Sequence, residues 1–215
     1  MIYYFVTGIG TGIGKTIVSA ILTEALKADY WKPIQAGELN HTDSMQVHSL
    51  ISNKTSFIHP EAYRLSKPMS PHAAAKSDKV TIDFKKIKIP KTSKTLIIEG
   101  AGGVMVPLND KQLVVDLIKR LKAEVILVVQ NYLGSINHTL LTYEALKSRK
   151  IPIAGIVFNG KSTPSSEEFI LRYTRLKCIL RISEEEMISP KSIVKYSKQV
   201  KLIPSVTSSA KRIEK

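Results

Sequence analysis

A single-domain α/β fold, with a mostly parallel central sheet and helices on both faces, is predicted by three features of the 215-residue chain. Apolar runs without the alternation of a half-exposed strand recur along it, segments of helical spacing separate them, and a glycine-rich loop joins the first run to the first helical segment. Strands buried on both faces and joined by helices form a parallel sheet, and ligands of such sheets sit at the carboxyl ends of the strands. The length and the 43% hydrophobic content suffice for one sizeable core.

The elements follow in order. Ile2 to Thr7 is rich in β-branched and aromatic residues and ends in a glycine cluster, so it reads as a buried strand. A helix is expected from near Gly14, because Ile17, Val18, Ala20, Ile21, Leu22, Ala25 and Leu26 form an apolar stripe. Tyr30 to Lys32 reads as a second strand stopped by Pro33, with Asp29 before it. Asp43 to Ile51 is helical in pattern. Residues 54–90 read as irregular, with short helical pieces around His72 to Lys76 and Asp83 to Lys88. Further strands are expected at Thr95 to Glu99, Val125 to Gln130, Ile153 to Asn159 and Lys177 to Ile182. Helices fall between them at Leu113 to Leu121, Asn137 to Ser148 and Ser166 to Tyr173.

The net charge of +14 raises the question of a polyanionic partner. The excess lies in two stretches, Lys76, Lys79, Lys85, Lys86, Lys88, Lys91 and Lys94, and a tail of Lys191, Lys195, Lys198, Lys201, Lys211, Arg212 and Lys215. Each holds a single aromatic, Phe84 or Tyr196, rather than the interleaved series on which bases would stack, so both read as solvated lysine surface, and no nucleic-acid partner is expected. The amino terminus lacks a basic leader and a cleavage site, and no apolar run approaches the roughly 18 residues a membrane span needs. A cytoplasmic location without a membrane partner is expected. The single cysteine, Cys178, excludes an internal disulfide and reads as a small buried hydrophobe rather than a nucleophile.

The strongest motif is Thr7-Gly8-Ile9-Gly10-Thr11-Gly12-Ile13-Gly14-Lys15-Thr16, between an expected strand and an expected helix. Glycines let backbone N–H groups turn inward on phosphate oxygens, Lys15 reaches the β- and γ-phosphates, and the Thr16 hydroxyl suits magnesium. The loop is one residue longer than the common phosphate loop (P-loop), because Ile9 stands five residues before Gly14. Gly8, Gly10 and Gly12 partly mimic a dinucleotide fingerprint, but the Gly-Lys-Thr ending belongs to phosphate loops and no acidic residue closes the second strand. Three further polar residues fall near strand ends. Lys32 reads either as a solvated lysine or as a functional one at the rim of the loop. Asp43 reads either as a helix cap or as a ligand. Glu99 ends an apolar run, where a carboxylate is costly unless a cation is near. Thr16, Asp43 and Glu99 together make an oxygen set suited to magnesium, completed by water and phosphate oxygens.

These residues together resemble the dethiobiotin synthetase family over most of the chain. The resemblance is carried by Gly8 to Thr16, by Lys32-Pro33-Ile34-Gln35-Ala36-Gly37, by Tyr63-Arg64 with Ser70-Pro71-His72-Ala73-Ala74, by Glu99-Gly100-Ala101-Gly102-Gly103 with Pro107-Leu108, and by Leu133-Gly134-Ser135-Ile136-Asn137-His138-Thr139-Leu140-Leu141-Thr142. It implies a P-loop fold and an ATP-dependent cyclo-ligase using magnesium, 7,8-diaminononanoate and carbon dioxide or bicarbonate. It further implies Lys32, Lys15 and Thr11 as catalytic residues. Gly12, Ile13, Gly14, Lys15, Thr16, Ile17, Asp43, Glu99, Gly100, Ala101, Gly102, Asn159 and Gly160 would bind nucleotide and metal. Thr11, Lys32, Ala36, Gly134, Ser135 and Asn137 would bind substrate, the last three from the partner chain of a homodimer whose site lies at the interface. Two departures stand out. Ala36 replaces the family's serine or threonine, and the run Cys178 to Ser183 lacks the Gly-x-Ile-Pro turn that helps enclose adenine, so weaker or less selective base binding is expected. The alternative within the same superfamily is a partition or scaffold ATPase; such proteins usually carry an extra lysine where this chain has Gly10.

Overall fold

The computed structural model describes residues 1–202. Lys211, Arg212 and Lys215 of the basic tail lie outside them. Nine strands and seven helices follow one another as β1 (Tyr3–Gly8), α1 (Lys15–Leu26), β2 (Asp29–Trp31), β3 (Ile34–Ala36), α2 (Asp43–Leu50), β4 (Ile58–His59), β5 (Tyr63–Leu65), α3 (Pro71–Ser77), β6 (Leu96–Gly103), α4 (Val114–Leu121), β7 (Glu124–Gln130), α5 (Ser135–Ser148), β8 (Ile153–Asn159), α6 (Pro164–Thr174), β9 (Cys178–Ile182) and α7 (Pro190–Ser197) among the described residues. Seven strands form one parallel sheet in the order β4-β2-β6-β1-β7-β8-β9.

The missing alternation has its cause in two cores. Phe5, Leu96, Ile98, Val125, Leu127 and Val129 point to the face covered by α3, α4, α5 and α6. Tyr4, Val6, Ile97, Ile126 and Val128 point to the face covered by α1, α2 and α7. Each central strand is therefore apolar on both faces through its middle, with polar residues toward the ends. No helix among the described residues is long and apolar enough to cross a membrane.

Several expectations need correction. The second strand begins at Asp29 and ends at Trp31. Asp29 lies inside it, buried, accepting the Phe57 N–H at 2.8 Å and the Thr92 hydroxyl at 2.6 Å. Pro33 does not end extended structure. Its carbonyl accepts the N–H groups of Ala62 and Tyr63, and the chain resumes as β3, which pairs with β5 in a separate two-stranded parallel sheet. Residues 54–90 thus hold two strands that were read as irregular. Asp83 to Lys88 is a turn rather than a helix. Its internal backbone bonds run only from Lys86 to Asp83 and from Ile87 to Phe84, and Pro90 bars continuation. The start of the basic tail, read as solvated surface, contains α7, which packs Ile193 and Tyr196 into the core. Its lysines still face outward. So do those of the first stretch except Lys94, which reaches Asp29 at 3.5 Å.

Candidate active site

β1 delivers the glycine loop, and α1 begins at Lys15 behind it. Gly14 caps α1 in the left-handed region with φ 88°. A Cβ there would stand 2.2 Å from the Asn159 side-chain nitrogen, so glycine is required both for conformation and for space. That nitrogen donates to the Ile13 carbonyl at 2.9 Å, which staples the end of β8 to the loop. Lys15 is buried and folds back to donate to the Gly10 carbonyl at 3.0 Å. Burial lowers its pKa, with Glu99 and Asp43 opposing and Lys32 adding to the effect.

Across the sheet, two carboxylates converge on one cation, and a hydroxyl bonds to one of them. Glu99, 1% exposed on β6, accepts the Thr16 hydroxyl at 2.9 Å and the Lys32 ammonium at 3.1 Å, both on Oε1. Lys32, 5% exposed just beyond β2, also pairs with Asp43. The lysine is therefore not a solvated one. Burial alone would lower its pKa, yet the two carboxylates outweigh it and hold the group above its usual value. Asp43 is not the cap of α2: Thr42 is, its hydroxyl accepting the Met45 N–H at 3.2 Å. Its carboxylate is thus free to meet Lys32. Two carboxylates already drawn to a positive charge, one of them bonded to the Thr16 hydroxyl, fit a hard divalent cation such as magnesium.

Thr11, Gly12, Lys15, Thr16, Lys32, Ala36, Asp43, Glu99, Ala101 and Gly102, together with Gly14 and Ile17, line one cavity of about 700 Å³. The other predicted residues lie apart. Ile13 is in the core, and only its carbonyl is engaged. Gly100 packs against Phe5 rather than lining this cavity. Gly160 lines a second cavity of about 310 Å³ with Lys161, Arg181 and Glu184. There Arg181 donates to the buried Glu167 at 2.7 Å and lies over the Phe158 ring. Gly134, Ser135 and Asn137 are at the start of α5, away from the main cavity; Ser135 is buried, the other two are exposed, and the helix has no side-chain cap. Cys178 is half-buried, and burial pushes its thiol up.

Two residues escaped the sequence reading. Gln35 donates to the Gly37 carbonyl at 3.0 Å and accepts the Asp43 N–H at 3.3 Å, so it sets the start of α2. Tyr30 is fully buried and donates its hydroxyl to Glu99 Oε2 at 2.9 Å. Burial first, then Glu99 and Asp43, hold its phenol well above the ordinary range, so it remains a donor. An even-numbered spacing to Lys32 on one extended segment was the available signal for Tyr30. Nothing local marked Gln35.

A protein family described as an AAA domain matches residues 3–192. ATP-dependent dethiobiotin synthetase BioD of Christiangramia forsetii is 53% identical over 91% of this chain and 94% of its own length. The BioD of Cytophaga hutchinsonii is 54% identical over 90% of this chain and 94% of its own, and that of Chlamydia pneumoniae 48% over 91% and 88%. Among solved structures, a ParA family ATPase from Chlorobium tepidum covers 92% of this chain and 90% of its own with a TM-score of 0.56 at 13% identity. The septum site-determining protein MinD from Pyrococcus horikoshii, complexed with Mg-ADP, covers 92% and 94% with a TM-score of 0.56 at 16% identity. At that identity these two likenesses establish the P-loop ATPase fold.

Proposed function

We propose, from the premise that this chain belongs to the ATP-dependent dethiobiotin synthetases, that the 700 Å³ cavity is where the ring-closing ligase reaction takes place. The chain is a biotin-biosynthetic ligase that uses ATP with small-molecule substrates. In the reaction, one amine of 7,8-diaminononanoate adds to carbon dioxide and loses a proton to give a carbamate. A carbamate oxygen takes the γ-phosphoryl group of ATP. The second amine then attacks the carbonyl carbon, phosphate leaves, and the ureido ring closes with loss of a proton.

The observation that carries the assignment is the convergence of Lys32, Thr16, Asp43 and Glu99 beside the phosphate loop. Thr16, Asp43 and Glu99 would hold magnesium, which would supply counter-charge to the nucleotide phosphates. Lys15, released from the Gly10 carbonyl, serves those same phosphates. Lys32, kept positive by its two carboxylates, stabilises the negative charge that accumulates on the carbamate and the transferring phosphoryl group. Thr11, an exposed residue lining the cavity, would lie near the diamine. Ala36 lines the cavity without a hydroxyl, so substrate affinity is lowered by about 1 kcal/mol relative to a serine there.

The chain acts as one domain, in the cytoplasm, as a homodimer without nucleic-acid or membrane partners. The dimer is supported by the start of α5. Its amino end has no side-chain cap and suits a carboxylate, it lies away from its own chain's cavity, and Leu133 beside it is fully exposed. Gly134, Ser135 and Asn137 would then receive the substrate carboxylate of the other subunit's site.

The test is phosphate release from magnesium ATP with and without 7,8-diaminononanoate and bicarbonate. Release that needs both, yields dethiobiotin and collapses in Lys32→Ala is expected. Release indifferent to the diamine would overturn the reading in favour of a switch ATPase.

A further inference from the structure

We propose that Tyr30 is a positioning residue for this reaction, its buried hydroxyl fixing the Glu99 carboxylate so that Oε1 stays aimed at Thr16 and Lys32. The inference rests on the reading of Glu99 as a magnesium ligand.

Tyr30 is the central residue of β2 and stands in register with Ile97 of β6. Side chains two residues apart on a strand share a face, so Tyr30 and Lys32 project to the α1 side, as do Ile97 and Glu99. Glu99 therefore has donors on both oxygens: Thr16 at 2.9 Å and Lys32 at 3.1 Å on Oε1, and Tyr30 at 2.9 Å on Oε2. The terminal torsion of a glutamate is broad. Donors on one oxygen alone would leave the group free to turn; a donor on each fixes its plane.

Packing does not call for the hydroxyl. A phenylalanine would fill the same space among Tyr4, Ile97 and the α1 residues, and the phenol oxygen has Glu99 as its hydrogen-bond partner. Without it, Oε2 becomes a buried charged-group oxygen with no donor. The available relief is rotation of Oε2 toward Thr16 and Lys32, which carries Oε1 off the position it holds between them.

The experiment uses the full chain as Tyr30→Phe, Glu99→Gln and the double variant. Manganese binding is read in the presence of a non-hydrolysable ATP analogue by the resonance signal of free Mn²⁺, alongside kcat and the KM for diamine. Tyr30→Phe is expected to weaken manganese about tenfold, to lower kcat and to leave the diamine KM unchanged. In the Glu99→Gln background it is expected to cost nothing further, since Tyr30 acts through Glu99. Unchanged manganese affinity in Tyr30→Phe, beside a loss in Glu99→Gln, would overturn the Tyr30 proposal alone. So would a Tyr30 effect that persists undiminished in the Glu99→Gln background, or a Tyr30→Phe chain without a cooperative melting transition. Manganese binding unaffected by Glu99→Gln would remove the metal reading of Glu99 and this proposal with it.

Discussion

Replacing Lys32 by methionine tests the charge balance of the site. The side chain keeps its length and loses its ammonium, so Asp43 and Glu99 are left facing one another without a cation. The two carboxylates differ in what they can recover. Asp43 is 29% exposed at its side chain and rehydrates, whereas Glu99, at 1%, cannot. Glu99 keeps the Thr16 and Tyr30 donors, which places the loss at the low end for a broken buried pair, about 3 kcal/mol. For a chain of this size that is roughly 6–12 °C of melting temperature. Because the missing cation is what destabilises the variant, added magnesium should raise its melting temperature more than the parent's, through binding to the native state alone. Turnover should not return with the metal, since the ammonium is absent where charge develops; a fall in kcat of about 100-fold or more is expected. Calorimetric melting in chelator and then in magnesium, with phosphate release in parallel, reads all three. A variant that melts within about 2 °C of the parent in chelator, or that gains no more from magnesium than the parent, would refute the account.

Four further outcomes are expected. Gly14→Ala forces a Cβ onto the Asn159 side chain in a left-handed backbone, and nucleotide affinity measured by calorimetry should fall about tenfold or more. Glu24, nearly buried, has its pKa lowered to about 2: burial would raise it, but bonds from Lys27, Asn53 and Ser52 prevail. A folded-state pKa below the unfolded value stabilises at neutral pH, and the contribution, on the order of 2–3 kcal/mol, is lost as pH falls from about 4.5 toward 2. The melting temperature of Glu24→Gln should therefore fall less steeply across that window. ATP should be preferred over GTP or CTP by less than about tenfold, because Arg181 and Ser183 stand where an enclosing turn is missing; titrations showing strict adenine specificity would count against it. Finally, inactive Lys32→Ala subunits mixed with inactive subunits altered at Gly134 and Asn137 should regain part of the activity if the site is shared, and none if each chain is self-sufficient.

How legible each feature was in the sequence depended on how local its cause is. The loop from Gly8 to Thr16 and the strands β1, β7 and β8 were readable because glycine spacing and unbroken apolar runs are written in consecutive residues. β3 and β5 were not. Each has three residues, too few for a pattern, and they exist because the Pro33 carbonyl captures the N–H groups of Ala62 and Tyr63. α7 was hidden by its lysines, although Ser189 and Pro190 form a start signal: the serine hydroxyl accepts the Ser192 N–H, and proline at the first helical position needs no donor. The site divides the same way. Thr16, Lys32, Asp43 and Glu99 could be nominated one by one, each from its place after a strand, a loop or a turn. That Lys32 is the counter-ion of two of them could not be, because the pairs span 11 and 67 positions and depend on the order of strands in the sheet.

Tyr30 carries this furthest. In sequence it is one more aromatic in a short apolar run, and its burial is what any core residue shows. Only the β2–β6 pairing turns its hydroxyl into a donor for Glu99, 69 positions away. Reading the chain locally finds groups that can do chemistry, whereas the sheet decides which of them hold one another in place. Residues of the second kind are drawn from positions that look like core, and a buried polar atom aimed at a nominated site residue is the observation that reveals them.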